Sequence, residues 1–187
     1  MGTRQDVISV LVTDHRAVEQ MFSELDGMRG EIGEEAKIPA EQVVIEFVRH
    51  SIAEEAYLYP AVREHVQGGG KLADQEIAEH TDAEQTMRRL EGLEPGDAGF
   101  WPTVDLLMSQ IRAHVREEEN DLFPRLRESC PPEELRELGA KVERAKKIAP
   151  TRPRPAAPGT SPAGKLTALR AGLVDRIRDA LTGRGRL

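Results

Sequence analysis

The chain has 187 residues, of which 32% are charged and only 4% are aromatic, and its formal net charge is −7. This length allows one domain with a core of its own and an appendage. A composition rich in Leu, Ala, Glu and Arg favours helix over sheet. The single cysteine, Cys130, excludes an intramolecular disulfide, and the apolar runs are too short to predict a transmembrane segment.

The charge is distributed unevenly along the chain. Residues 151–187 carry eight basic and two acidic residues, a net charge of +6, which leaves −13 for the rest. An acidic body with a basic tail is not expected to bind nucleic acid. The first residues lack the basic segment and the long apolar core of a signal peptide, so we expect a cytoplasmic protein.

The spacing of apolar residues predicts four long helices. They cover residues 4–28, 40–66, 71–91 and 99–128, with a loop over residues 29–39. Pro60 and Pro124 are expected to kink the second and the fourth helix, because proline removes a backbone hydrogen bond and crowds the preceding turn. Short connections between the helices predict an all-α fold, an up-down-up-down antiparallel four-helix bundle.

Three further segments follow the predicted bundle. A shorter helix over residues 132–147 completes a bundle domain at residues 1–149. A Pro-rich linker at residues 150–165 leads to a basic amphipathic helix at residues 166–187. This tail helix either folds back on the acidic body or docks to an acidic lipid or a protein partner. Its short apolar stripe and two aspartates favour contact with protein.

An eleven-residue pattern occurs twice, as HSIAEEAYLYP at residues 50–60 and as HVREEENDLFP at residues 114–124. In both copies a histidine within the apolar stripe is followed four residues later by a glutamate. Residues four apart lie on one face of a helix. We therefore expect two pairs of side chains to point into the bundle, where a charge is costly unless it is paired or bound to a metal; they are His50 with Glu54, and His114 with Glu118.

The first and third predicted helices repeat the same spacing, in TDHRAVEQ at residues 13–20 and AEHTDAEQ at residues 78–85. These stretches contain His15 with Glu19 and His80 with Glu84. Corresponding histidines of the two halves lie 65 and 64 residues apart. The chain is therefore interpreted as one helical hairpin written twice.

Four helices that each deliver a histidine and a carboxylate at the same depth predict a metal centre. Taken alone, a buried histidine is more often a hydrogen-bonded core residue, and a His/Glu pair more often a surface pair. Imidazole and carboxylate ligands suit iron or manganese, and zinc less exclusively. Eight such groups exceed the needs of one ion, so we expect two ions bridged by carboxylates. The fifth histidine, His65, lacks such a glutamate and is expected at the surface.

These residues resemble the hemerythrin-like (HHE cation-binding) family over about residues 5–128. The resemblance rests on the doubled motif and on the pairs Asp14-His15 and Glu79-His80. It implies a four-helix bundle with a non-haem diiron centre, its two iron ions joined by an oxo or hydroxo group. It also implies that His15 and His50 bind one iron, that His80 and His114 bind the other, and that Glu54 and Glu118 bridge them.

The chain departs from the oxygen-carrying members of that family on the third helix, where they offer a second histidine and this chain has Glu84. We expect Glu84 to bind iron, and a carboxylate-rich centre favours the ferric state over reversible oxygenation. Glu19 is a further candidate ligand, with an outer or solvent-facing position as the alternative. Tyr57 is a candidate either to bind iron or to hydrogen-bond a bridging group, with packing as the alternative. Glu55 and Glu119 either meet solvent or hold a neighbouring histidine.

The resemblance implies small ligands related to oxygen, namely oxygen itself, peroxide and nitric oxide. One class of function is enzymatic defence against oxidative or nitrosative stress, through catalase-like or nitric oxide peroxidase activity. The other class is a non-catalytic module that binds or senses iron or a diatomic gas. Glu84 favours turnover over oxygen transport. A purely structural metal is the weaker hypothesis, because a structural site needs fewer ligands.

Overall fold

The computed structural model describes residues 5–153, and every regular element within this range is helical. The predicted tail helix and the linker beyond residue 153 lie outside the described residues, and the predicted domain boundaries stay predictions. The elements in chain order are α1 (Val7–Gly27), α2 (Glu34–Ala53), π1 (Glu54–Leu58), α3 (Tyr59–His65), α4 (Gly69–Glu91), α5 (Phe100–Glu117), π2 (Glu118–Leu122), α6 (Phe123–Ser129) and α7 (Pro132–Ile148).

Four long helices form the predicted bundle. The second consists of α2, π1 and α3 without a break, and the fourth consists of α5, π2 and α6. Helix α1 packs against α2, and α4 packs against α2, α3 and α5. The prediction of an all-α helical bundle is confirmed.

Helix α7 packs across α1 and α2 on the outside of the bundle. It approaches the start of α1 most closely at Gly139, where an added Cβ atom would lie 2.5 Å from the carbonyl oxygen of Gln5. Glycine is required here because any side chain would collide with backbone atoms, which cannot move aside as a flexible side chain can. The predicted short helix over residues 132–147 thus forms a fifth layer on the bundle.

The start of the second long helix was predicted wrongly. Residues 34–39 were expected in a loop, but α2 already begins at Glu34 and contains Pro39. Two acidic side chains, Glu34 and Glu35, occupy the first turn, where they interact favourably with the helix dipole. Pro39 removes one backbone hydrogen bond from the helix, and its side chain is buried.

Each central proline is preceded by a five-residue π-helical segment. The backbone N–H of Tyr59 donates to the carbonyl of Glu54, and the N–H of Phe123 donates to that of Glu118, so both bonds span five residues rather than four. The wider turn accommodates the proline ring, which clashes with the preceding turn of a regular α-helix. Segments of this kind are frequent at functional sites, and both begin at a predicted ligand.

Two buried apolar clusters fill the bundle, with a polar layer between them. One cluster includes Leu11 and Leu58 together with α7, and the other includes Phe22 and Phe47. Each of the four long helices contributes to both clusters and carries a buried histidine at the crossing point. The histidines are therefore sealed on two sides by packed apolar side chains.

Candidate metal centre

Six predicted ligands meet in the polar layer, and none of them is more than 4% exposed. Their ligand atoms fall into two groups that share Glu54, and within each group the atoms lie within 4.8 Å of one another. One group is His15, His50, Glu54 and Glu118, and the other is Glu54, His80 and His114.

The histidines form two pairs, and the Glu54 carboxylate lies between them. The Nε2 atoms of His15 and His50 are 3.3 Å apart, and those of His80 and His114 are also 3.3 Å apart. Oε1 of Glu54 lies 2.9 Å from His50 Nε2, whereas its Oε2 lies 3.3 Å from His80 Nε2. One carboxylate therefore faces both histidine pairs.

Glu118 lies across the same gap from the opposite hairpin. Its Oε2 is 3.4 Å from His15 Nε2 and 3.7 Å from His114 Nε2. Within residues 5–153, no hydrogen bond of good geometry reaches this oxygen or either carboxylate oxygen of Glu54. Buried carboxylate oxygens that accept no hydrogen bond are costly unless a cation neutralises them. The residues present therefore fit a metal-bound centre.

A carboxylate also stands behind each histidine, on its Nδ1 side. The pairs are His15 with Glu119 at 2.9 Å, His50 with Asp14 at 3.4 Å, His80 with Glu55 at 3.1 Å, and His114 with Glu76 at 2.8 Å. A carboxylate behind an imidazole fixes the orientation of the ring and raises its basicity as a ligand. Glu55 and Glu119 thus hold histidines of the other hairpin, which is one of the two alternatives predicted for them.

The charges of these groups hold protons at the centre when no metal is bound. Burial lowers the pKa of His50, but the charge of Glu54 and the hydrogen bond to Asp14 outweigh burial and raise it to about 9. The pKa values of His80 and His114 are raised against the same effect of burial. Burial favours a protonated Glu54, yet the positive charge of His50 lowers its pKa well below the usual range. The centre is built to contain positive charge.

Tyr59 is a site residue that the sequence analysis missed. Its side chain is 1% exposed, and Oη lies 3.1 Å from His80 Nε2 and donates to Glu118 Oε1 at 3.4 Å. Burial and the charges of nearby carboxylates, first Glu54 and then Glu118, raise the pKa of Tyr59 well above its usual value. The phenol therefore keeps its proton inside the centre.

The candidate Tyr57 lies elsewhere, partly buried against the apolar cluster around Leu58. The π segment explains the difference. In a regular α-helix, residues three and four positions after Glu54 share its face. Tyr59 directly follows π1, five positions after Glu54, and its backbone N–H donates to the Glu54 carbonyl across the wider turn. Pro60 is the signal in the sequence that could have revealed this shift, because a proline inside a helix requires an irregular turn.

The structure does not bring Glu19 or Glu84 to the centre. Glu19 is exposed and forms a salt bridge of 2.6 Å with Arg112 of α5. Glu84 is partly buried and is absent from the groups of metal-type ligands found among the described residues. Glu76, which was not predicted, occupies the corresponding inward position on α4 and is 3% exposed.

Aromatic rings close the remaining sides of the centre. Phe47 packs against His50, His80 and His114, with ring centroids 5.8–6.1 Å apart. Phe123, which corresponds to Tyr59 in the second half of the chain, stacks on His15 at 5.8 Å. The walls exclude bulk water, so that electrostatic interactions within the centre are strong.

Comparison with known proteins identifies this arrangement. The model of the hemerythrin HHE cation binding domain matches residues 6–126. The chain belongs to the hemerythrin HHE cation-binding family. An uncharacterized hemerythrin-like protein of Schizosaccharomyces pombe is 30% identical over 141 residues, which are 75% of this chain and 70% of the relative.

Two further proteins are similar to the chain. The crystal structure of a hemerythrin HHE cation binding domain-containing protein from Mycobacterium kansasii has the same fold, with a TM-score of 0.65 at 23% identity, covering 76% of this chain and 88% of that one. A DNA nickase of a Nostoc species is 28% identical over 145 residues, 76% of this chain. The match spans only 38% of the nickase.

Membership in this family implies cation binding, and the buried His/Glu groups offer the ligand types for it.

Among the described helices, none has both the length and the apolar character that a membrane-spanning helix needs.

Proposed function

We propose that the protein holds two iron ions, joined by an oxo or hydroxo group, and that it binds oxygen, peroxide or nitric oxide in defence against oxidative or nitrosative stress. The observation that carries this proposal is the position of Glu54, whose two oxygens face different histidine pairs at 2.9 and 3.3 Å. His15 and His50 would hold one ion, and His80 and His114 the other. Glu54 and Glu118 would span both.

Iron bound here supplies redox chemistry and open coordination positions for small ligands. The side chains of the chain do the rest. The Nδ1-side carboxylates orient the imidazoles, while Phe47 and Phe123 keep bulk water out. Tyr59 holds a proton at Oη beside His80, hydrogen-bonded to Glu118, and this hydroxyl can donate to a bound ligand.

Turnover is favoured over simple oxygen carriage because of Tyr59. The earlier reason for this preference was a carboxylate ligand at Glu84, and the geometry gives that reason no support. The hydroxyl of Tyr59 instead keeps its proton within the centre, 3.1 Å from His80 Nε2, where it can donate a hydrogen bond to a bound peroxide. We include a cytoplasmic location in the proposal, where the single cysteine would be reduced.

The test uses full-length protein purified with iron supplied. Iron content and the optical spectrum are measured first, and consumption of peroxide and of nitric oxide is then followed with electrodes. We expect two irons per chain and sustained turnover. Glu54→Gln should lose iron, whereas the matched surface variant Glu19→Gln should keep both iron and turnover.

Tyr59→Phe separates proton donation from iron binding. We expect this variant to keep its iron and to lose about 10²–10⁴-fold in turnover, the range typical for removal of a positioned proton donor. Iron with stoichiometric ligand binding and no turnover would support the alternative, a sensing or binding module. Zinc, or a single ion per chain, would refute the diiron proposal.

A further inference from the structure

A second group of metal-type side chains lies at one end of the bundle. It consists of His65 at the end of α3, Cys130 directly after α6 and Glu134 in the first turn of α7. Their nitrogen, sulfur and oxygen atoms lie within 4.8 Å of one another. At a rise of 1.5 Å per residue, His65 lies about 16 Å along the helix from Glu54. The group is therefore distinct from the central site.

The three side chains are close to the geometry that a tetrahedral ion needs. Bonds of about 2.0–2.3 Å place neighbouring ligand atoms of a tetrahedral zinc site about 3.4–3.6 Å apart. His65 Nε2 and Glu134 Oε1 are 3.0 Å apart, so they need to separate by only a few tenths of an ångström. The Cys130 thiol makes a weak contact of 3.9 Å from Sγ to the carbonyl oxygen of the adjacent Pro131.

The backbone holds the three ligands from separate directions. Cys130 is the C-terminal cap of α6, and its N–H donates to the carbonyl of Leu126, which is fully buried. Pro131 caps the start of α7 and places Glu134 one turn inside that helix. The end of α3 contributes His65. Ligands that come from three packed segments keep their positions without needing the metal to order a loop.

The group is open at one side and closed at the other. Cys130 is 4% exposed, whereas the side chains of His65 and Glu134 are 18% and 37% exposed. The thiol thus forms the floor, and the imidazole and the carboxylate form a mouth through which an ion can enter from solvent. His65, which was expected at the surface, lies at this mouth and pairs with Glu134.

The electrostatic surroundings also suit a cation. Burial, followed by the charges of Glu134 and Glu64, raises the pKa of the Cys130 thiol to about 11. The negative groups that disfavour a thiolate here would stabilise a metal ion, and a bound ion displaces the thiol proton.

We propose that His65, Cys130 and Glu134 form a mononuclear site for a divalent cation of the zinc class, with the fourth position open to solvent. The mixed sulfur, nitrogen and oxygen donors select a borderline metal such as Zn²⁺ over the hard cations Mg²⁺ and Ca²⁺. An ion at this position joins the ends of α3 and α6 to the start of α7. The proposal is independent of the function proposed for the central site.

The test uses Co²⁺ as a spectroscopic substitute for zinc on full-length protein already loaded with iron. Cys130 is the only cysteine of the chain, so a sulfur-to-cobalt charge-transfer band in the difference spectrum can come from this residue alone. We expect the band to saturate at one equivalent of Co²⁺ and to disappear when Zn²⁺ is added. The iron content, measured before and after, should not change.

Variants define the ligands. Cys130→Ser should lose the band, and Glu134→Gln should weaken Zn²⁺ binding roughly tenfold or more. The matched control is Glu133→Gln, since Glu133 is an exposed carboxylate in the same turn of α7. It should bind like the parent protein. Far-UV circular dichroism checks that each variant is folded.

The outcome on the unaltered protein decides the matter even if a variant fails to fold. Absence of a sulfur-to-cobalt band with one equivalent of Co²⁺ would overturn the proposal. Equal weakening by Glu133→Gln and Glu134→Gln would also overturn it, because it would indicate nonspecific attraction to an acidic surface.

Discussion

Removing the metal and raising the pH is expected to destabilise the bundle through His50. In the metal-free protein this imidazole is charged, because the neighbouring carboxylates raise its pKa from 6.5 to about 9. A group whose pKa is higher in the folded state stabilises the protein fully below its unfolded pKa. That stability is lost as the pH rises through the folded value.

The size of the effect follows from the two pKa values. A change from 6.5 to about 9 corresponds to about 3 kcal/mol of unfolding free energy, present at pH 6 and lost by about pH 9.5. The raised pKa values of His80 and His114 act in the same direction. Glu54 stays ionised throughout, since its pKa is well below this window. It is left buried beside neutral rings at high pH.

The assay is urea unfolding of chelator-treated, full-length protein at pH 6 and pH 9.5 and constant ionic strength, followed by circular dichroism. The free energy of unfolding should be lower at pH 9.5 by about 3 kcal/mol. Glu54→Gln removes the charge that acts most strongly on His50 and should reduce this difference. The surface variant Glu19→Gln should retain it.

Iron loading should abolish the loss at high pH, because the ions then supply the positive charge and need neutral imidazoles. An unfolding free energy that is equal at the two pH values in metal-free protein, or larger at pH 9.5, would refute the reasoning. It would mean that the buried carboxylates do not hold protons on the histidines.

Three further predictions concern residues outside the set of six ligands. Glu76→Gln should lower metal affinity about 10–100-fold, as expected for a carboxylate behind a ligand histidine, whereas Glu84→Gln should leave metal affinity unchanged. Chelator competition measures both affinities, and a larger loss in Glu84→Gln than in Glu76→Gln would contradict the geometry. Asp14→Asn should lower metal affinity by a similar factor, because Asp14 orients His50 and is itself fixed by Lys146 of α7. An unchanged metal affinity would contradict this role. Gly139→Val should lower the unfolding free energy by about 1–3 kcal/mol, because its side chain meets backbone atoms of residues 5–7; an unchanged melting temperature would show that α7 does not pack there.

The register of the buried stripe explains which glutamates face the centre. On α2 and at the first residue of π1 the buried positions include 43, 47, 50 and 54, so the step of four follows His50 and selects Glu54. On α4 the buried positions include 73, 76, 80 and 83, so the step of four precedes His80 and selects Glu76. A glutamate four residues after the histidine therefore faces the centre on the second and fourth long helices only. The alternation itself was readable from the apolar residues.

Other features could not be read from periodicity. The shift that brings Tyr59 inward depends on a five-residue backbone turn, and helical spacing assumes that every turn has the same width. The cluster of His65, Cys130 and Glu134 joins residues that are up to 69 positions apart, and only the packing of α7 on the bundle end brings them together. Local patterns predict helices and their faces, whereas contacts between distant segments require the fold.

The internal repeat is imperfect at the positions that surround the histidines, and this makes the two halves of the centre chemically different. Glu76 on α4 corresponds to Leu11 on α1, and Tyr59 corresponds to Phe123. The polar member of each pair serves the half built on α4 and α5: Tyr59 contacts His80, and Glu76 contacts His114. Of the apolar members, Phe123 stacks on His15, and Leu11 belongs to the apolar cluster around Leu58. A small ligand that needs a proton is therefore expected to bind at the His80 half of the centre. Among the described residues, only there does a hydroxyl reach a histidine nitrogen of the centre. The loss of turnover in Tyr59→Phe therefore reports on that half alone.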